Sequence, residues 1–63
     1  MTNLKRIRLA SNMSQNKLAE VSGVSVRMIQ HYEQGVKDIN KAQAITLLWL
    51  SQALKVRIED IME

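Results

Sequence analysis

Residues 14–35 read SQNKLAEVSGVSVRMIQHYEQG, and this stretch decides how the chain folds. Two short segments in it have the apolar spacing of helices, one from about Ser14 to Val21 and one from about Ser25 to Gln34. Each begins with a serine, which is a preferred N-cap residue. Each is followed by a glycine, which can end a helix in the left-handed conformation. The stretch therefore predicts two consecutive short helices.

The turn between these two helices is short and contains Gly23. A glycine lets the chain turn sharply because no Cβ atom meets the backbone. Two short helices joined by such a turn have the shape of a helix-turn-helix. An ordinary helical hairpin has the same spacing, so spacing alone leaves both possibilities open.

Three further helical segments lie outside this stretch. The first runs from about Asn3 to Ala10 and stops at Ser11-Asn12, where an asparagine can take the left-handed conformation. The fourth runs from about Lys41 to Leu54 with Asn40 as its predicted N-cap, and the fifth runs from about Ile58 to Met62. The predicted core residues are Leu4, Ile7, Leu18, Ala19, Ile29, Tyr32, Ala44, Leu47, Leu50, Leu54, Ile58 and Ile61.

The length and composition narrow the class of protein. We predict an all-α, compact five-helix fold and a single domain over residues 1–63, which buries only roughly 60% of its unfolded surface. The chain has no cysteine and one histidine, so we expect no disulfide, no metal site and no cofactor. No apolar run reaches the roughly 18 residues of a membrane span, and the N-terminus lacks the core of a signal peptide. We therefore expect a cytoplasmic protein with no membrane partner.

The charge is distributed unevenly along the chain. Residues 1–37 contain six lysines and arginines against two acidic residues, a net +4, whereas residues 38–63 contain three against four, a net −1. A basic first half favours a polyanionic partner on that side of the protein. Many soluble domains are mildly basic, so the charge alone is a weak indication.

A more specific indication comes from the pattern S-Q-x-x-L-A-x-x-S-G-V-S at residues 14–25, followed by I-x-x-Y-E-x-G at residues 29–35. This combination resembles the phage repressor and Cro-type (XRE-like) helix-turn-helix family. Residues 53–61 continue the resemblance, which thus covers nearly the whole chain. It implies DNA binding, and it implies that Arg8 and Glu33 form an internal salt bridge.

The resemblance also implies which residues read DNA. In this family the third helix enters the major groove, with its first residues against the base edges. Burial of the apolar face leaves an outward face that we predict to read bases, namely Val26, Arg27, Gln30 and His31. Arg27 fits guanine, Gln30 fits adenine, and Val26 offers apolar contact to a thymine methyl. Without the resemblance, the same residues describe an ordinary solvated helix face, and His31 an ordinary surface histidine.

A second set of polar residues is predicted to contact the DNA backbone. Gln15 begins the second helix, where backbone N–H groups and the helix dipole favour a phosphate, and the resemblance gives this glutamine a phosphate-anchoring role. Others surround the recognition helix and the turn that follows it. The predicted phosphate contacts are Gln15, Lys17, Ser25, Gln34, Lys37 and Lys41. The alternative is that each merely aids solubility, which for Lys41 fits the sequence equally well.

The fourth helix has a second apolar stripe beside its core face. Ile45, Leu48, Trp49 and Gln52 follow the spacing i, i+3, i+4, i+7 and face mostly away from the core positions. We predict that this stripe is a homodimer interface, because tryptophan is a favoured interface anchor and family members commonly dimerise beside this region. The alternative is that Leu48 and Trp49 close over the domain's own small core.

These observations predict sequence-specific binding of double-stranded DNA by a repressor-like transcriptional regulator that acts as a homodimer on a palindromic site. The alternative is a self-associating protein-interaction module, natural or engineered, that uses the Ile45, Leu48 and Trp49 surface. We do not expect an enzyme or a small-molecule ligand. Glu20 and Glu33 have no partner at catalytic spacing, and two glycines cannot form a phosphate-binding loop.

Overall fold

The computed structural model describes all residues 1–63 and contains five α-helices with no strand. A short 3₁₀ turn at Ile39–Lys41 lies between the third and fourth helices. The helices are α1 (Asn3–Ala10), α2 (Gln15–Ser22), α3 (Val26–Gln34), α4 (Ala44–Leu54) and α5 (Ile58–Ile61). The predicted all-α, five-helix fold is therefore confirmed.

The polar residues that precede the first three helices act as their caps. The hydroxyl oxygens of Thr2, Ser14 and Ser25 accept hydrogen bonds from backbone N–H groups in the first turns of α1, α2 and α3, at 3.2, 2.9 and 3.1 Å. Each bond satisfies one of the amide groups that a helix leaves unpaired at its start. These caps explain why the helices begin where the sequence predicts.

The core consists of side chains from every helix and from the two connections that flank α3. α2 packs against α3 and α4, α4 packs against α5, and α1 packs against α3 and α5. The buried apolar residues are Leu4, Leu18, Val24, Ile29, Tyr32, Ile39, Leu47, Leu50, Leu54 and Ile61. Ile7, Ala19 and Ile58 are half-buried at its edge, whereas the prediction that Ala44 is buried is wrong.

The start of the fourth helix is the main difference from the sequence prediction. Asn40 is not its N-cap: Asp38 caps the 3₁₀ turn by accepting from the Asn40 N–H at 2.9 Å, and α4 begins only at Ala44. The side chain of Asn40 instead donates to the Glu63 carbonyl at 2.9 Å and accepts from the Glu63 N–H at 2.8 Å. A contact between residues so far apart in sequence leaves no local pattern. The Asn40 amide therefore ties the connection before α4 to the last residue of the chain.

The last residues are also tied to the first helix. Met62 is extended and lies outside α5, one residue beyond the end of that helix. Its carbonyl accepts from the Asn3 side chain at 2.8 Å, and the Glu63 carboxylate accepts from the Asn3 N–H at 2.8 Å. An acceptor at the N-terminus of α1 satisfies another unpaired amide there. The two ends of the chain are thus hydrogen-bonded together.

No helix has the combined length and apolar character needed to cross a membrane; the longest, α4, has 11 residues.

Replacing Lys55 by glycine should stabilise the fold. Lys55 ends α4 at φ 59°, in the left-handed region, where a side chain costs roughly 1–2 kcal/mol and glycine does not. Part of this gain is offset because glycine is more flexible when unfolded. We expect an increase of about 0.5–1 kcal/mol in the free energy of unfolding in urea.

Lys55→Ala is the matched control, since it removes the same exposed side chain but keeps the Cβ atom. It should not raise the stability. Equal unfolding midpoints for the glycine and alanine variants would show that the backbone at this position is not strained.

Candidate nucleic-acid interface

The turn between α2 and α3 is held by backbone geometry and by one buried hydroxyl. Gly23 has φ 79°, the left-handed conformation that ends α2. The Ser22 hydroxyl oxygen accepts from the Val24 N–H at 3.1 Å inside the turn, and both residues are buried. Leu18 and Ile29 are completely buried on the facing sides of α2 and α3. The two helices are therefore fixed at one angle, as in a helix-turn-helix.

A buried ion pair joins α1 to α3. Arg8 donates from Nε to Glu33 Oε2 at 2.7 Å and from Nη2 to Glu33 Oε1 at 3.0 Å. Its Nη1 donates to the Met13 carbonyl at 2.7 Å, so the loop before α2 is bound to the same guanidinium. The side chains of Arg8 and Glu33 are only 8% and 2% exposed. This two-pronged geometry sets the position of α3 relative to α1.

The hydrogen bond from Arg8 to Glu33 raises the pKa of Arg8 above its usual value, against the opposing effect of desolvation. An arginine with a raised pKa stabilises the folded state fully at any pH below its unfolded value and loses this contribution only as pH rises above it. Arg8 is therefore charged at neutral pH.

Two glutamines extend this ion pair toward the surface of α3. Gln15, at the start of α2, donates from Nε2 to Glu33 Oε1 at 3.0 Å. Its own Oε1 accepts from Nε2 of Gln30 at 3.4 Å. Gln15 and Gln30 are half-buried. A line of side-chain hydrogen bonds thus runs from the interior to a residue that the sequence predicts to read bases.

The four residues predicted to read bases lie together on α3. Arg27 is exposed and forms no ion pair, while Val26, Gln30 and His31 are half-buried. Nδ1 of His31 is buried and has no hydrogen-bond partner. The opposite face of α3 carries Ile29 and Tyr32 in the core. One face of α3 is thus free to contact a ligand, with Arg27 as its most accessible charge.

The residues predicted to contact phosphates lie around both ends of α3 and on α2. Gln34, Lys37 and Lys41 are exposed on and after the C-terminal end of α3. The Ser25 hydroxyl oxygen accepts the N-cap hydrogen bond, which leaves its proton available for donation. The Nζ atom of Lys17, on α2, is 3.7 Å from Oε1 of the exposed Glu20. An exposed ion pair of this kind contributes little to stability in water.

An open cavity of about 470 Å³ lies between α3 and the start of α4. It is lined by Lys37, Asp38 and Lys41 from the connection between these helices, together with Met28, Tyr32 and Thr46 among others. The Lys37 amino group is 3.6 Å from the Met28 sulfur. The two lysines outweigh Asp38 and leave a net charge of +1 among these lining residues, beside α3.

A second surface lies on α4, opposite its core face. Leu47, Leu50 and Leu54 point inward, whereas Ile45, Leu48 and Trp49 are 44%, 39% and 43% exposed. Gln52 is exposed on the same outer side. The alternative that Leu48 and Trp49 close over the domain's own core is therefore wrong. We call Ile45, Leu48, Trp49 and Gln52 the outer face of α4.

Comparison with known proteins agrees with this geometry. The sequence model of the helix-turn-helix family matches residues 4–61, which include all five helices except the first residue of α1. The chain belongs to the XRE-like helix-turn-helix family. This is a DNA-binding family, typically non-enzymatic, and the domain is a DNA-binding regulator of this type. No curated protein and no solved structure matches the chain.

Three contacts of this helix-turn-helix domain were not found from its sequence. They are the bond from Gln15 to Glu33, the bond from Gln30 to Gln15, and the Ser22 hydroxyl in the turn. The glutamines are 15 residues apart, and no periodic pattern relates them. Ser22 has a local signal, because a serine one residue before a turn glycine can bond the backbone two residues on.

Removing either member of the Arg8 and Glu33 pair should destabilise the domain more than removing both. A lone buried charge costs roughly 3–5 kcal/mol, while apolar replacement of both partners can be nearly neutral. We expect Arg8→Met and Glu33→Leu each to lower the melting temperature sharply, and the double variant to recover most of the loss. Thermal melts of the four proteins form the cycle. Single variants that melt like the parent would mean that the pair does not hold α1 against α3.

Proposed function

We propose that this domain binds duplex DNA in a sequence-specific manner as a repressor-like transcriptional regulator. The observation that carries the proposal is the outward face of α3, where Arg27 is exposed and unpaired while the opposite face is fixed in the core. Rigid placement matters because base recognition requires hydrogen-bond geometry within a narrow range. Arg27 on α3 and Lys37 just after this helix are both exposed, and their positive charges favour approach of a polyanion to this face.

The side chains on this face can distinguish base pairs by their chemistry. The guanidinium fork of Arg27 matches guanine O6 and N7, and the amide of Gln30 matches adenine N6 and N7. Val26 offers a methyl surface to thymine, and His31 adds a ring nitrogen donor or acceptor. Since Arg27 is the exposed member, we assign it the largest share of base discrimination.

Affinity would come mainly from the backbone contacts. Lys37 and Lys41 lie at the cavity between α3 and α4, and Gln34 ends α3 on the same side. Gln15, Lys17 and Ser25 would meet the phosphates on the other side of α3. Such contacts release counterions, so binding should weaken steeply with added salt.

We further propose that the domain acts as a homodimer on a palindromic site, with the outer face of α4 as the interface. Residues 44–54 include no charged residue, so two copies of α4 can approach without like-charge repulsion. An apolar patch of this kind marks an interaction site when it is contiguous. A two-fold axis would place Trp49 of one copy against the same face of the other.

A second candidate function is self-association alone. The outer face of α4 is apolar whether or not α3 binds DNA, and it is on a different helix from the base-reading residues. In that case the protein would form dimers but show no salt-dependent binding to DNA. A gel-shift on random duplex at low salt separates the two candidates.

Loss of a base contact and loss of a phosphate contact should change DNA binding in different ways. Arg27→Ala should reduce binding to the cognate site by roughly 1–3 kcal/mol and relax the preference at one base pair. Lys37→Ala should weaken all sequences similarly and reduce the slope of log K against log salt by about one unit. Fluorescence anisotropy with cognate and random duplexes at several salt concentrations measures both.

Lys55→Ala is the control for Lys37→Ala, because it removes the same charge at the opposite end of α4. It should leave the salt slope unchanged. Equal losses on cognate and random DNA for Arg27→Ala would show that Arg27 contacts phosphate and does not read a base.

If Trp49 lies at the centre of the proposed dimer, a charged residue at this position should dissociate the dimer into monomers. We expect the parent to sediment as a dimer at micromolar concentration and Trp49→Glu to sediment as a monomer. Leu9→Glu is the control, since Leu9 is exposed to a similar extent, 47%, on another helix. On DNA, the two recognition helices should lie about 34 Å apart, one turn of the duplex. If the parent is a monomer at these concentrations, the outer face of α4 is not a self-association surface.

A further inference from the structure

The hydrogen bonds that connect Glu33 to Gln30 have a direction imposed by chemistry. An ionised carboxylate can only accept hydrogen bonds, whereas an amide side chain has one accepting end and one donating end. Glu33 Oε1 lies 3.0 Å from Gln15 Nε2 and 3.0 Å from Arg8 Nη2. Gln15 must therefore direct its NH₂ group at Glu33.

This orientation determines the orientation of the next amide. With its NH₂ group on Glu33, Gln15 presents its carbonyl oxygen to Gln30, whose Nε2 lies 3.4 Å away. An oxygen can only be bonded here by a donor, so Gln30 must turn its own NH₂ group toward Gln15. The carbonyl oxygen of Gln30 and one remaining N–H are left for a ligand.

We propose that Gln15 is a positioning residue that fixes the amide of Gln30, so that Gln30 accepts a hydrogen bond from the N6 amino group of adenine and disfavours guanine. The inference rests on the proposed DNA binding through α3. Adenine offers a donor at N6 and an acceptor at N7, which match the free oxygen and free N–H of Gln30. Guanine offers two acceptors, O6 and N7, so its O6 would face the Gln30 oxygen.

Reversal of the Gln30 amide is what the Gln15 contact opposes. A free glutamine could rotate its amide and donate to guanine. In this chain, rotation of Gln30 would put its oxygen against the Gln15 oxygen. Rotation of both amides would put the Gln15 oxygen against the Glu33 carboxylate. The Glu33 side chain is only 2% exposed, so little water is available to separate these two acceptors.

This role differs in its consequences from a phosphate contact by Gln15. A phosphate contact contributes equally to every sequence, because the backbone carries no sequence information. A positioning contact changes the ratio between two sequences, since it acts on the orientation of Gln30. The two roles are therefore separated by measuring a preference in addition to an affinity.

The test compares Gln15→Met with the parent. Methionine has a similar length and removes both amide hydrogen bonds, while Glu33 keeps its two bonds from Arg8. Gln34→Met is the matched control, because Gln34 is exposed at the end of α3 and has no part in these bonds. As a proposed phosphate contact, its loss should weaken binding to both duplexes equally. Gln30→Ala identifies the base pair that Gln30 reads, as the one position at which the preference of the selected duplex is lost.

At that base pair the parent should prefer A·T over G·C by about tenfold, the range of one good base contact. We expect Gln15→Met to reduce this preference to about twofold or less, and Gln34→Met to leave it unchanged. A Gln15→Met variant that weakens both duplexes equally and keeps their ratio would overturn the proposal, as would a Gln30→Ala variant that changes no preference.

A measurement on the free protein separates this inference from the proposed function. The side-chain NH₂ protons of Gln30 should exchange with water more slowly in the parent than in Gln15→Met, as observed by NMR. If neither protein binds any duplex, DNA binding through α3 is wrong, and slowed exchange in the parent would still support the positioning contact. Equal exchange in the two proteins would overturn it.

Discussion

The buried pair between Arg8 and Glu33 is the interaction on which the arrangement of this domain depends. It connects α1, the loop before α2, and the C-terminal half of α3 through one guanidinium. A buried ion pair adds little net stability, since desolvation of two charges offsets their attraction. Its contribution is orientation: each hydrogen bond has a fixed direction, which apolar packing alone lacks. Because this pair holds α3 against α1, it also sets the position of the outward face of α3.

The same pair shows how a structural contact can extend to a surface residue. Glu33 accepts hydrogen bonds from Arg8 on one side and from Gln15 on the other, so its carboxylate is shared between the interior and the start of α2. Gln30 lies at the end of this line of bonds. The hydrogen bonds that hold α1, α2 and α3 together therefore continue, through Gln15, to a residue of the proposed base-reading surface.

What the sequence could predict depends on the distance over which each signal acts. Ser14, Ser25 and Gly23 act within a few residues of their own position, and the helix boundaries they predict are those of the structure. Asparagine is a residue type that favours the N-cap, but Asn40 binds Glu63, 23 residues away. The fourth helix therefore starts later than predicted. The hydrogen bonds of Gln15 were missed for the same reason. The family pattern supplied the pairing of Arg8 with Glu33, which spacing alone does not reveal.

The proposed dimer would couple self-association to DNA binding through α4. This helix packs against α2 on its inner side, and α2 carries α3 across the short turn at Gly23. A second copy bound to the outer face of α4 would therefore hold two recognition helices at one separation. A palindromic site at that spacing engages both, so the second contact forms at a high effective concentration. By linkage, DNA that binds the dimer more tightly than the monomer must also stabilise the dimer by the same free energy. In such a dimer, association through the apolar outer face and DNA binding through α3 would be parts of one equilibrium.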